Sequence, residues 1–72
     1  MTLTEAVLEI FDGGNAYTPA EVHALTTKMG RGWLLTSVRR EITVLTDAGI
    51  LRNTGEQKMG AFGKLNYIWK KA

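Results

Sequence analysis

The period of the apolar residues changes at Gly49, and no other feature constrains the fold of this chain as tightly. Up to that glycine, apolar side chains recur every three or four residues, the spacing of amphipathic helices. Beyond it "ILRNT" and "LNYIW" alternate, with Leu65, Tyr67 and Trp69 on one side of the second run, the spacing of strands. Helices followed by strands predict an α+β fold. The chain has 72 residues. A chain this short buries only about 60% of its unfolded surface, so residues 1–72 are expected to share one core as one domain.

Two helix starts are written as capping boxes. Thr2 stands three residues before Glu5, and Thr18 three before Glu21, with Pro19 at the first helical position. Leu3, Ala6, Val7, Ile10 and Phe11 make one apolar stripe on the first helix. "DGGN" stops that helix, since Gly13 or Gly14 can take the left-handed conformation. A short extended piece, "AYT", follows, with Tyr17 expected to anchor to the core. The second helix is expected to bury Val22, Leu25 and Met29 and to end at Gly30. "GRGW" reads as a turn, because two glycines one residue apart break a helix. Trp33 behind it is expected to wedge between helices, its N–H finding a carbonyl, and Trp69 to join the core.

The third helix lies in "TSVRREITVLTDAGIL", Thr36 to Leu51. At 100 degrees per residue, Ile42 and Leu45 project within about 40 degrees of Val38. Leu34 and Leu35 flank that stripe. Thr36, Arg40, Thr43 and Asp47 fall opposite it, with Arg39, Ser37 and Val44 at the margins. Neither Arg39 nor Arg40 has an acid three or four residues away, so neither is matched within its own helix. Gly49 ends the helix. "GEQKMGAFGK" has three glycines and no period, and reads as the loop of a β-hairpin. The predicted order is helix, short strand, helix, helix, strand, loop, strand.

The net charge of +2 conceals a segregation. Residues 1–27 hold Glu5, Glu9, Asp12 and Glu21 and no Lys or Arg, net −4. Residues 28–72 hold all nine basic residues against Glu41, Asp47 and Glu56, net +6. Such a division points to one surface for a polyanion and another for solvent or a partner. A content of 44% hydrophobic and 22% charged residues reads as globular rather than disordered. The absence of cysteine excludes disulfides and thiolate metal sites. "MTLTEAVLEIF" carries Glu5 and Glu9 where a signal peptide would be apolar, and no run approaches about eighteen apolar residues. A cytoplasmic protein without a membrane partner is expected. His23 is the one histidine, no second nitrogen or sulfur ligand completes a metal site, and Glu5, Glu9 and Asp12 share a solvated face. No glycine loop precedes a Lys-Ser or Lys-Thr pair. An enzyme, a cofactor and a metal are therefore not expected.

Three short helices, the last long and amphipathic, followed by a glycine-rich hairpin, resemble the winged-helix branch of the helix-turn-helix family. "TPAEVHALTTKMG" looks like the first helix of the bihelical unit, "TSVRREITVLTDAGIL" like the recognition helix, and "NYIWKK" like the return strand of the wing. The second half, with its threonine-rich helix and "G-x-F-G" loop, also looks like small winged-helix proteins encoded by phages and prophages. The turn "GRGWLL" is a residue or two longer than the tight turn usual in the family.

The resemblance implies binding of double-stranded DNA, as a transcriptional regulator or a replication or recombination accessory factor, with the third helix in the major groove. Arg40, opposite the buried stripe, suits guanine O6 and N7, and Arg39 suits a phosphate. Thr36 and Ser37 stand near the helix start, where anions are favoured. Thr43 and Val44 can meet a thymine methyl, while Asp47 is expected to lie clear of the groove. Lys58 and Lys64 flank the wing tip, and Arg31 and Lys28 border the turn, all four placed for the backbone. Phe62, between Gly60 and Gly63, is expected to fold back onto the hairpin rather than wedge into a base step. Arg52, Lys70 and Lys71 are expected on the far side. The alternative is a protein-interaction module without DNA binding, with the acidic face of the first helix as its docking surface. RNA binding is less favoured, because no sheet presents paired aromatics. A homodimer on a two-fold site is open.

Overall fold

Both capping boxes close, and they set the first two helices. The computed structural model describes residues 1–60 and 63–72. In helix α1, Leu3–Phe11, the Thr2 hydroxyl accepts from the Glu5 amide at 3.2 Å and the Thr2 amide donates to Glu5 Oε1 at 2.8 Å. Helix α2, Pro19–Lys28, repeats the arrangement between Thr18 and Glu21 at 3.2 and 2.9 Å. These reciprocal bonds satisfy amides that have no partner inside a helix. Helix α3, Leu35–Asp47, starts at Leu34 without a side-chain cap.

A two-stranded antiparallel hairpin follows, β1 at Leu51–Met59 and β2 at Leu65–Lys71. The layout is α+β, three helices and then a hairpin, and is consistent with a winged-helix arrangement. The short strand expected after α1 is a single bridge. Tyr17 exchanges both backbone hydrogen bonds with Trp69, at 2.9 and 2.8 Å, which ties the α1–α2 connection to β2.

The core is small. Val7, Phe11, Val22, Val38, Ile42, Leu45 and Leu51 are buried together, with Leu3, Leu8, Ile10, Tyr17, Trp33 and Trp69 packed around them. Phe11 meets Tyr17 edge-on at 5.6 Å between ring centroids. The Trp69 indole N–H is buried with no acceptor among the described residues. Two details of α2 and α3 differ from expectation. Thr26, not Met29, completes the buried edge of α2, because its hydroxyl donates to the His23 carbonyl at 2.8 Å and so needs no water; Met29 is exposed. Leu34 and Leu35 do not join the α3 stripe: Leu34 is the N-cap and 69% exposed, and Leu35 faces outward beside α2.

The hairpin corrects the sequence reading most. "GEQKM", expected to begin a loop, is strand up to Met59. The register passes from Asn53 opposite Trp69 to Gln57 opposite Tyr67, so three β1 residues span one β2 residue. This bulge needs Gly55, at φ +81, and its polar groups are met locally. The Thr54 hydroxyl donates to the Ile68 carbonyl at 2.9 Å, and the Gly55 and Glu56 amides donate to the side chains of Asn53 and Thr54. Gly55 thus bends a strand instead of starting a loop. At the far end Gly60 N donates to the Lys64 carbonyl at 2.7 Å, and a Cβ on Gly60 would collide with the Asn66 amide. The reading of Phe62 lies outside the described residues.

Candidate nucleic-acid interface

Burial of Val38, Ile42 and Leu45 turns the opposite side of α3 to solvent. Thr36, Arg39, Arg40 and Thr43 are exposed there, and Ser37 is half-buried. The acids that might have answered the arginines are engaged elsewhere. Glu21 Oε2 accepts from Lys58 Nζ at 2.6 Å, and Asp12 Oδ1 from Lys71 Nζ at 3.3 Å. Glu41, the acid within α3 beside the arginines, accepts from the Thr4 hydroxyl on α1. Among the described residues neither Arg39 nor Arg40 has a carboxylate within 4.0 Å.

The threonines of α3 are half spent. Thr43 donates to the Arg39 carbonyl at 3.1 Å, and Thr46 to the Ile42 carbonyl at 2.7 Å. Back-bonding of this kind satisfies the hydroxyl proton within the helix and leaves the methyl outward. Thr43 therefore offers a methyl and an acceptor, not a donor. At the start of α3 the first turn carries no acid, and no side chain caps its amides. Amides in that state favour an anion.

The turn before α3 is built rather than loose. A carbonyl only accepts, so in the 3.0 Å contact between His23 Nε2 and the Trp33 carbonyl the His23 Nε2–H is the donor. That bond ties the turn to α2 and is the role found for the lone histidine. The Arg31 guanidinium lies over the Trp33 ring, 5.8 Å from its centroid, and is exposed. Lys28 closes α2, also exposed.

On the hairpin, Lys58 was expected to reach phosphate, yet it is held by Glu21 on α2. The Lys58 ammonium holds the Glu21 carboxyl below the usual carboxylate range, helped by the Thr18 bonds and opposed by partial burial. Lys64 is exposed, and no carboxylate among the described residues meets it. Arg52 and Lys70 stand directly opposite each other across the ladder.

Two grooves separate the hairpin from the helices. A cleft of about 240 Å³ lies between α3 and β2, with Arg39 and Thr43 on one side and Leu65, Asn66 and Tyr67 on the other. Sequence reasoning put Tyr67 on one side of β2 with Leu65 and Trp69 and gave it no functional role; it is 47% exposed. The alternation of "LNYIW" showed which side it takes, whereas its exposure depends on how the hairpin packs against the helices. The other groove, largely apolar, lies between α2 and the hairpin end, lined by Ala20, Ala24, Leu35 and Met59. No family model, curated protein or solved structure matches this chain. Among the described residues no helix is long and apolar enough to cross a membrane.

Proposed function

We propose that this chain belongs with the winged-helix DNA-binding proteins and binds double-stranded DNA. It acts by binding rather than catalysis, as a small regulator of transcription or an accessory factor in replication or recombination. Helix α3 enters the major groove and the hairpin follows the backbone. One observation carries the reading: Arg39 and Arg40 stand exposed on α3 with no carboxylate within 4.0 Å among the described residues, while Glu21, Asp12 and Glu41 bond Lys58, Lys71 and Thr4. Two adjacent exposed guanidiniums without carboxylate partners leave positive charge on α3 available to a polyanion. Arg40 reads a base, Arg39 holds the backbone, and the uncapped start of α3 faces a phosphate.

Titration of duplex DNA at several salt concentrations tests this. With five to six phosphates engaged, log K falls against log salt with a slope of about −5. Arg40→Ala costs about 1–3 kcal/mol and relaxes preference at one base pair of a site selected from a random pool. An equal loss on every sequence would reassign Arg40 to phosphate, and no binding at low salt would remove the reading.

A second reading, a protein-docking module, is favoured by the apolar groove beside Leu35 and by Met59, which is 62% exposed. Under it a partner is retained after nuclease treatment and after charge reversal at both Arg39 and Arg40. The acidic face of α1 is a weaker candidate for such a partner, since Asp12 already holds Lys71.

A further inference from the structure

We propose that the cleft between α3 and β2 seats one deoxyribose-phosphate unit of a DNA strand, with Arg39 on the phosphate and Tyr67 donating to it from the opposite wall. The inference rests on the DNA-binding reading and adds a residue on the hairpin that no sequence pattern singled out.

The walls differ in chemistry, and the difference matches the two halves of a backbone unit. On the helix side Arg39 supplies a guanidinium without a carboxylate partner, able to donate two parallel hydrogen bonds to phosphate oxygens. Thr43 beside it has its proton committed to the Arg39 carbonyl, so its hydroxyl offers the cleft no donor. On the strand side the Tyr67 hydroxyl has no hydrogen-bond partner among the described residues, and its ring is half-exposed. That ring is not free to wander. It sits edge-on to Trp69, 6.4 Å between centroids and 84° between planes, and Trp69 is itself packed against the core.

A phenol held in this way donates to an anion with little loss of rotamer freedom. Leu65, 56% exposed on the same wall, adds an apolar surface that a bare anion does not need and a deoxyribose face does. The cleft also lies between the two elements proposed to grip DNA. A strand leaving the major groove beside α3 to pass under the hairpin crosses it.

The test uses the full chain and a duplex carrying its selected site, with single phosphates replaced in turn by neutral methylphosphonates. At one backbone position the replacement weakens wild-type binding about tenfold, the scale of one charge-assisted contact. Arg39→Ala weakens the unmodified duplex about as much, and the methylphosphonate at that position then costs no more than the roughly threefold share of Tyr67. Arg39→Ala lowers the salt slope by about 0.9, whereas Tyr67→Phe weakens binding about threefold with the slope unchanged, since it removes a donor and no charge.

Strict additivity of Arg39→Ala with every methylphosphonate, or Tyr67→Phe binding like wild type, overturns the proposal while leaving DNA binding intact. Inorganic phosphate at constant ionic strength is expected to displace the duplex no better than chloride. Specific displacement at millimolar phosphate would make the cleft a free-anion site and overturn its assignment to the strand. If wild type binds no duplex at low salt, the DNA reading fails and this inference falls with it.

Discussion

Replacing Glu21 with Gln separates two roles that one carboxylate plays. Oε1 closes the capping box with the Thr18 amide, while Oε2 holds Lys58 at 2.6 Å. Glutamine serves a capping box as well as glutamate does, so Glu21→Gln keeps the helix start and deletes the ion pair. Both partners are well exposed, at 56% and 36% for the side chains, so solvent screening limits the pair to about 0.2–1 kcal/mol. At about 4–8 °C per kcal/mol for a domain of this size, the melting temperature falls by about 1–8 °C.

The pH dependence has a definite sign. The folded-state pKa of Glu21 is lowered, first by the Lys58 hydrogen bond, so its contribution is present above the pKa of the unfolded chain. It is lost as pH falls through the folded value. Thermal melts of wild type and Glu21→Gln therefore differ at pH 7 and converge in acid, and they also converge in 1 M salt. In binding, the substitution releases Lys58 from a competitor and tightens the duplex complex by about 1.4- to 5-fold at low salt, the same pair energy in another form. A stability gap that persists unchanged in acid would refute the reasoning about the pair. Weaker duplex binding by Glu21→Gln would refute the idea that Glu21 competes with phosphate for Lys58.

Three further outcomes follow from packing and register. Phe11→Ala, at a side chain only 1% exposed, costs about 3–5 kcal/mol, a large share of the roughly 4–11 kcal/mol expected for a domain of this length, and urea titration reads the loss. Arg52→Glu places an acid opposite Lys70 where two cations now face each other, and is expected to raise stability by about 0.2–1 kcal/mol in thermal melts. Gly55→Ala forces a side chain onto φ +81 and costs about 1–2 kcal/mol; a variant as stable as wild type would mean that the bulge relaxes.

The helical half was readable because its signals are local. Thr2 with Glu5 and Thr18 with Pro19 and Glu21 act within one turn, and the stripe of Val38, Ile42 and Leu45 follows from a fixed rotation per residue. The same projection set Arg39 and Arg40 on the solvent side of α3. Thr26 was missed because its burial depends on a bond to its own helix that composition does not reveal. Leu34 was misplaced because the helix begins one residue later than its apolar run.

By itself the sequence determined three helices, a terminal hairpin, the division of charge and the absence of intrahelical partners for two arginines. Each of these depends on neighbours within a few positions. Only the tertiary structure decided that Glu21 and Asp12 belong to Lys58 and Lys71, since those pairs join positions 37 and 59 residues apart. It also decided that Gly55 bends a strand and that Tyr67 faces Arg39 across an open cleft. The physical reason is the same in each case. Contacts between distant elements depend on how the hairpin packs against the helices, and a bulge of two extra residues in β1 leaves no period in the sequence to read.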